Sequence, residues 1–200
     1  MRRYVFCIYP ITQHKEELDL FKMEVDSELS LALVNRECAK DFFEIIQAQN
    51  AYLAEWMAWP PHLKELSVYE DYIKDCLHKY ADGKSLICFI FYQDQPAGCI
   101  GFNTIDHDLR KVEIGYWLSQ NLQGNGIVAR CSKHLIQFAF ERLNMDKVEI
   151  PVSEGNIPSR KVCERLGFVQ EGLITNAENL NGRLMDHVYY GLSRAKWKQT

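Results

Sequence analysis

"YWLSQNLQGNGIVARCSKHL" (residues 116–135) decides how the rest of the chain is read. An apolar, aromatic run ends at Leu118. Gly124 and Gly126 follow, and a stretch with helical periodicity begins at once. Small residues leave backbone N–H groups uncovered, and here they precede a helix, the arrangement that receives phosphate groups. The competing reading is a plain loop whose glycines supply positive φ. "GNGIVA" (124–129) also fits the relaxed dinucleotide fingerprint G-x-G-x-x-A, with Glu149 about 20 residues on. Three features speak against that ligand. "SQNLQ" separates the strand from the first glycine, where the dinucleotide turn is immediate. Glu149 lies inside "VEIPV" rather than at a strand end. Only about 50 residues remain beyond it, too few for a second mononucleotide-binding half. No G-x-x-x-x-G-K-[ST] occurs, so the turn is not a P-loop.

Working outward, "SLICFIFY" (85–92), "AGCIGFNT" (97–104) and "VEIGYWLS" (112–119) are three short β-rich runs. The brief links between them predict an antiparallel meander. After the glycines, Val128, Cys131, Leu135, Phe138 and Arg142 share one helix face, with the arginine stem closing an apolar stripe. "KVEIPVS" (147–153) is a strand. "NIPSRKVCERLG" (156–167) is a short helix with Asn156 as cap, Pro158 in the first turn and Gly167 as stop. Two last runs, "FVQEGLIT" and "LMDHVYYGLS", flank the turn "NLNG" (179–182). Towards the N-terminus, "LFKMEVDSELSLALVN" reads as a strand turning at Asp26-Ser27. A helix over 36–57 is stopped by Pro60-Pro61. A second helix is capped by Ser67, with Glu70 three residues on, and closed by Gly83. The order β-α-α-β-β-β-α-β-α-β-β predicts one mixed α/β domain over 21–198. Residues 1–20 fit none of this and read as a tail or extension.

Composition narrows the partners. The 200 residues carry a net charge of −4 with no block of like charge. A nucleic-acid surface would need clustered Lys and Arg, so none is expected. Seven cysteines form no C-x-x-C, and most lie in apolar runs, which suits reduced thiols in a cytoplasmic protein. The six histidines are scattered singly, so no zinc site is expected. Arg2-Arg3 before "YVFCIYPI" lacks a full apolar core and a cleavage site for a signal peptide. No run approaches the roughly 18 apolar residues of a membrane span.

With its flanks, the glycine stretch resembles the Gcn5-related N-acetyltransferase (GNAT) superfamily, and within it the branch that acetylates N-termini of ribosomal proteins. The superfamily signature Q/R-x-x-G-x-G/A is matched by Gln123, Gly124, Asn125, Gly126, Ile127 and Val128, the last departing from Gly or Ala. "EIGYWLS" before the turn, "NIPS" (156–159), "LGF…EG" (166–172) and "LAEWMAWP" (53–60) match the branch in order. The resemblance runs from about Phe21 to Lys198. It implies a central, mostly antiparallel sheet flanked by helices, in which two neighbouring parallel strands splay apart. Acetyl-CoA would be the co-substrate and no metal would take part. Its pantetheine arm would bond to backbone at Tyr116, Trp117 and Leu118, and its pyrophosphate to the amides from Gly124 to Val128. A homodimer is common in the branch.

Acetyl transfer to an amine needs the amine deprotonated, the oxyanion stabilised and the thiolate leaving group protonated. The resemblance implies Ser159 as the acid for the leaving sulfur and Glu178, in "AENLNG", as the base. Each has a plainer role open to it, a helix-turn hydrogen bond for Ser159 and a solvated loop carboxylate for Glu178. Glu113 is a second candidate base, because it shares a strand face with Gly115 and Trp117. Asn156 can cap its helix, bond to the co-substrate, or do both at once. Tyr116 and Trp117 read as pocket wall, Cys131 and Cys163 as packing, and Trp56 with Trp59 as a wall of the acceptor groove or a helix-end cluster. The expected activity is direct acetyl transfer to a primary amine in a ternary complex, with a ribosomal-protein N-terminus favoured. A polyamine or aminoglycoside acetyltransferase and a non-catalytic acyl-CoA sensor are the rival expectations.

Overall fold

Two neighbouring strands run parallel and then part, and the other elements are arranged around that gap. The computed structural model describes residues 22–198. The expected tail, 1–20, and Cys7 lie outside the described residues. β1 (Lys22–Glu24) and β2 (Leu29–Leu33) form a hairpin whose turn includes Asp26-Ser27. α1 (Ala39–Ala48), α2 (Asn50–Leu53), a 3-10 turn (Pro60–His62) and α3 (Leu66–Ala81) follow. β3 (Leu86–Tyr92), β4 (Gln95–Asp106) and β5 (Lys111–Leu118) make the expected meander. α4 (Ile127–Glu141) crosses to β6 (Lys147–Ser153). α5 (Ile157–Arg165), β7 (Val169–Leu180), β8 (Arg183–Ser193) and α6 (Arg194–Trp197) complete the described chain. The strands form one eight-stranded sheet in the order β1-β2-β3-β4-β5-β6-β8-β7. Only β5 and β6 pair in parallel, as a βαβ crossover requires.

The sheet carries a core on each face. On one side α1 and α3 cover β3 and β4, and the Phe42 ring stacks on Phe89 at 3.9 Å between centroids. On the other, α4 buries Ile127, Cys131, Leu135, Ile136, Ala139 and Phe140. β3 is buried on both faces, which explains its unbroken apolar run.

Three local expectations are corrected. The helix over 36–57 is broken at Gln49, whose side chain donates to Ser119 Oγ at 2.5 Å and accepts from the Gln120 N–H at 2.7 Å. Tertiary bonds there override helical periodicity. Ser67 does not cap α3; the cap position is Glu65, and the Ser67 hydroxyl reaches only that carboxylate. Arg142 does not close the α4 stripe. It is exposed at the helix end, and the buried arc runs through Ile136, Ala139 and Phe140 instead.

Pairing between β5 and β6 is limited to Lys111↔Lys147, Val112↔Val148 and Glu113↔Glu149; beyond these the strands diverge. β6 stays paired with β8 along its whole length. At the ends of that ladder the Arg194 N–H bonds to the Asp146 carbonyl and the Glu154 N–H to the Asp186 carbonyl. Even-numbered positions of β6 therefore bond to β8, and Pro151 turns its nitrogen, which has no hydrogen, toward β5. A proline at that edge cannot donate to β5, so it helps keep the gap open. At the closed end, Glu149 accepts from Lys111 and Lys147, both at 2.8 Å, and Lys147 also reaches Glu171 at 2.6 Å. Burial raises the Glu149 carboxyl's pKa, but the two lysines outweigh that and hold it below the usual range. The acid that a dinucleotide ribose would need is already occupied.

Candidate active site

The alternation of side chains along the splayed strands divides the site between the two faces of the sheet. Val112, Ile114 and Leu118 of β5, with Val148, Ile150 and Val152 of β6, belong to the α4 side. Tyr116 packs on that side too. Glu113, Gly115 and Trp117 face the α1–α3 side, as do Pro151 and Ser153 of β6 and His187 and Tyr189 of β8. A cavity of about 1300 Å³ passes between the two sets through the splay. It is lined by Glu113, Tyr116, Trp117, Leu118, Gln123, Gly124, Gly126, Ile127, Val128, Asn156, Ser159 and Glu178. Of the sequence-predicted site residues only Asn125 is not on its wall; the Asn125 amide turns back to the Leu122 carbonyl at 3.0 Å.

The α4 side suits a phosphate-bearing chain. Gly124 and Gly126 have φ of +83° and +68°, where side chains are disfavoured, and a Cβ on either would meet nothing within 4 Å. Gly126 occupies the cap position of α4, and no side chain caps that helix. Its first N–H groups, including those of Ile127 and Val128, are left open at the positive end of the helix dipole. Val128 is half-buried with its side chain against the α4-side core. The Gln123 side chain is tied to the Tyr52 hydroxyl. Beyond Glu113, the β5 edge facing the gap has no strand partner, so alternate N–H and C=O groups of 114–118 can bond to an extended guest. Trp117 packs its ring edge-on against Phe42. Lys161 and Arg165 of α5 add positive charge to this wall.

Ser159 lies in the first turn of α5. Its N–H donates to Asn156 Oδ1 at 3.2 Å, so Asn156 is the helix cap. Its hydroxyl lies 2.6 Å from the Tyr116 hydroxyl. Burial pushes the Tyr116 phenol well above its ordinary value, so it keeps its proton and can donate to Ser159 Oγ. The Ser159 proton is then left to point into the cavity. No local pattern announces this pairing, because 43 residues separate the two.

On the α1–α3 side, Glu113 Oε1 meets Asn103 Nδ2 at 3.5 Å. Glu178 is brought in by a break in register: Ile174 pairs with His187 and Glu178 with Met185, which leaves three residues of β7 unpaired between them. His187, which sequence reading missed, places Nε2 3.2 Å from Glu178 Oε2. Trp56 lies over Gly155, and Trp59 is 38% exposed at the rim. The β7–β8 turn fastens that rim. Asn181 Oδ1 accepts from His62 Nε2 at 2.7 Å, its Nδ2 donates to the Ala58 carbonyl at 3.1 Å, and Arg183 donates to the Glu55 carbonyl. Both tryptophans line the cavity.

The thiols offer no nucleophile here. Cys131 and Cys163 are fully buried, and burial pushes each up to about 12. Among the described residues no three His, Cys, Asp or Glu side chains gather as a metal site requires. No helix of the described residues is long and apolar enough to cross a membrane.

A family model described as an acetyltransferase (GNAT) domain matches residues 29–169. The chain is 31% identical over 180 residues to a putative ribosomal N-acetyltransferase of Bacillus subtilis, covering 90% of this chain and 98% of that protein. It is 27% identical to the ribosomal-protein-serine acetyltransferase of Escherichia coli, covering 80% and 89%. Among solved structures, a microcin C7 self-immunity acetyltransferase in complex with acetyl-CoA and AMP superimposes with a TM-score of 0.81 at 31% identity, covering 84% of this chain and 94% of that one.

Proposed function

We infer the function from one premise: the chain belongs to the acetyltransferase (GNAT) domain family and is an acetyl-CoA-dependent N-acetyltransferase. The observation that carries the finer reading is the two-faced cavity. Its α4 side offers open amides and cations; its α1–α3 side offers two carboxylates between aromatic walls. Acetyl-CoA takes the first, with its phosphates at Gly124 to Val128, assisted by Gln123, and its pantetheine along Tyr116, Trp117 and Leu118. Asn156 acts here through its cap, which fixes Ser159. A primary amine approaches from the second side, where negative charge favours it.

Transfer is direct. Glu178 takes a proton from the acceptor ammonium, with Glu113 as the alternative base. The freed amine attacks the thioester carbonyl, and a C–N bond forms. As the tetrahedral intermediate collapses, the C–S bond breaks, the thiolate takes the Ser159 proton, and the second proton of the attacking nitrogen passes through water to restore the Ser159 hydroxyl. The buried, protonated thiols support a ternary complex over an acetyl-cysteine. The acceptor is a protein N-terminus, in keeping with relatives named as ribosomal N-acetyltransferases.

Acetylation of a library of peptides with free N-termini, read by mass spectrometry beside spermidine, tests this. Turnover on a peptide subset is expected. Turnover on spermidine alone would replace the acceptor class. Acetyl-CoA binding with no turnover on any amine would leave a sensor in place of an enzyme.

A further inference from the structure

His187 is held on the cavity wall with no task in the steps above. Its side chain is 16% exposed, and Nε2 itself is out of contact with solvent. Nε2 lies 3.2 Å from Glu178 Oε2, but the two are not aligned as a hydrogen bond. Among the described residues Glu178 has no Lys or Arg partner and no other polar contact. The register break that brings the two together is itself fixed. Asn176, at φ +52°, donates its N–H to Asp186 Oδ1 at 2.8 Å, and the strand resumes with Glu178 one diagonal from His187. Ser153 pairs with His187 in the β6–β8 register and faces the same way, and its buried Oγ also lacks a partner. Buried polar atoms are ordinarily satisfied, so orphans on adjacent strands at one end of a cavity mark a place prepared for a polar guest.

We propose that His187 is a positioning residue for Glu178: its imidazole holds the carboxylate toward the acceptor amine. It acts on the rate only through Glu178, and so rests on the reading of Glu178 as the base. A surface ion pair would leave both groups free to turn; here the imidazole is buried and the bulge fixes the carboxylate's strand.

The test compares kcat and KM for His187→Leu, His187→Gln, Glu178→Gln and the Glu178→Gln/His187→Leu double variant, with a serine-initiated peptide and spermidine as acceptors. Gln can put its amide N–H near the place of Nε2. His187→Leu should lower kcat about tenfold or more while the KM for acetyl-CoA and the melting temperature stay near wild type. His187→Gln should recover kcat to within about threefold, since its amide can stand beside the Glu178 carboxylate where Nε2 stood. In the Glu178→Gln background His187→Leu should add no further loss, the signature of two residues acting as one unit. An additive loss, or a Gln variant as impaired as the Leu variant, overturns the proposal. Wild-type turnover by Glu178→Gln, or no turnover by the unsubstituted protein on either acceptor, overturns the assignment of Glu178 itself and this proposal with it.

Discussion

At Ser159 a short side chain carries a proton that only its neighbours make useful. The Tyr116 hydroxyl lies 2.6 Å from Oγ and can donate to it, and Asn156 Oδ1 accepts from the Ser159 N–H, so both groups hold this side chain before any ligand arrives. Ser159→Ala should lower kcat about 100-fold with acetyl-CoA affinity unchanged, measured by steady-state kinetics beside calorimetric binding. A kcat equal to wild type would remove Ser159 from the chemistry. Gly126 allows a cleaner separation of causes. Its φ of +68° strains most side chains, yet the space around it is open. Gly126→Asn should cost little, because Asn tolerates that region, whereas Gly126→Glu should abolish measurable CoA binding by bringing a carboxylate to the phosphates. Equal affinity in the two variants would move the pyrophosphate elsewhere. The roles of Ser159 and Glu178 came from motif position, while Tyr116 and His187 did not. Tyr116 meets Ser159 from 43 residues away, and His187 meets Glu178 across the β7–β8 hairpin only through its register break, so no local pattern announces either contact.

Among the elements, those with strong periodicity were legible. The meander, the crossover helix, the α5 cap at Asn156 and the turn after β7 follow from apolar spacing and turn residues alone. What was not legible arose from tertiary competition. Gln49 has no sequence mark of a helix break, and it breaks one because Ser119 and Gln120 take its amide. Gln49→Ala should therefore destabilise by about 1–3 kcal/mol in urea unfolding, since partly buried partners lose their bonds. No change in midpoint would mean that water replaces both. On α4, Cys131 and Leu135 are buried and Val128 and Phe138 pack on the same core, while Arg142, whose stem reads as apolar, lies outside the arc at the exposed helix end. Pro151 was a visible signal left unused: a proline inside an evident strand already says that one edge of it lacks a neighbour.

For the whole molecule, the closed end of the splay ties acidity to stability. Glu149 is held below its ordinary range by Lys111 and Lys147. A depressed carboxyl stabilises the fold above its unfolded value near 4.5, and that contribution fades as pH falls through the lower folded value. Wild type should thus be more stable than Glu149→Gln at pH 7, and the gap should narrow in acid, followed by urea midpoints from pH 7 to 3. A gap that is constant with pH would mean that the carboxylate's charge is irrelevant. The same junction has a further consequence for motion. Among the described strands, three residue pairs are the only ladder that joins β1–β5 to β6–β8 in the sheet. The seam is therefore the sheet's weakest line, and native-state amide exchange should show the Val112 and Glu149 amides opening before the central ladder of β3 and β4, at a free energy below that of global unfolding.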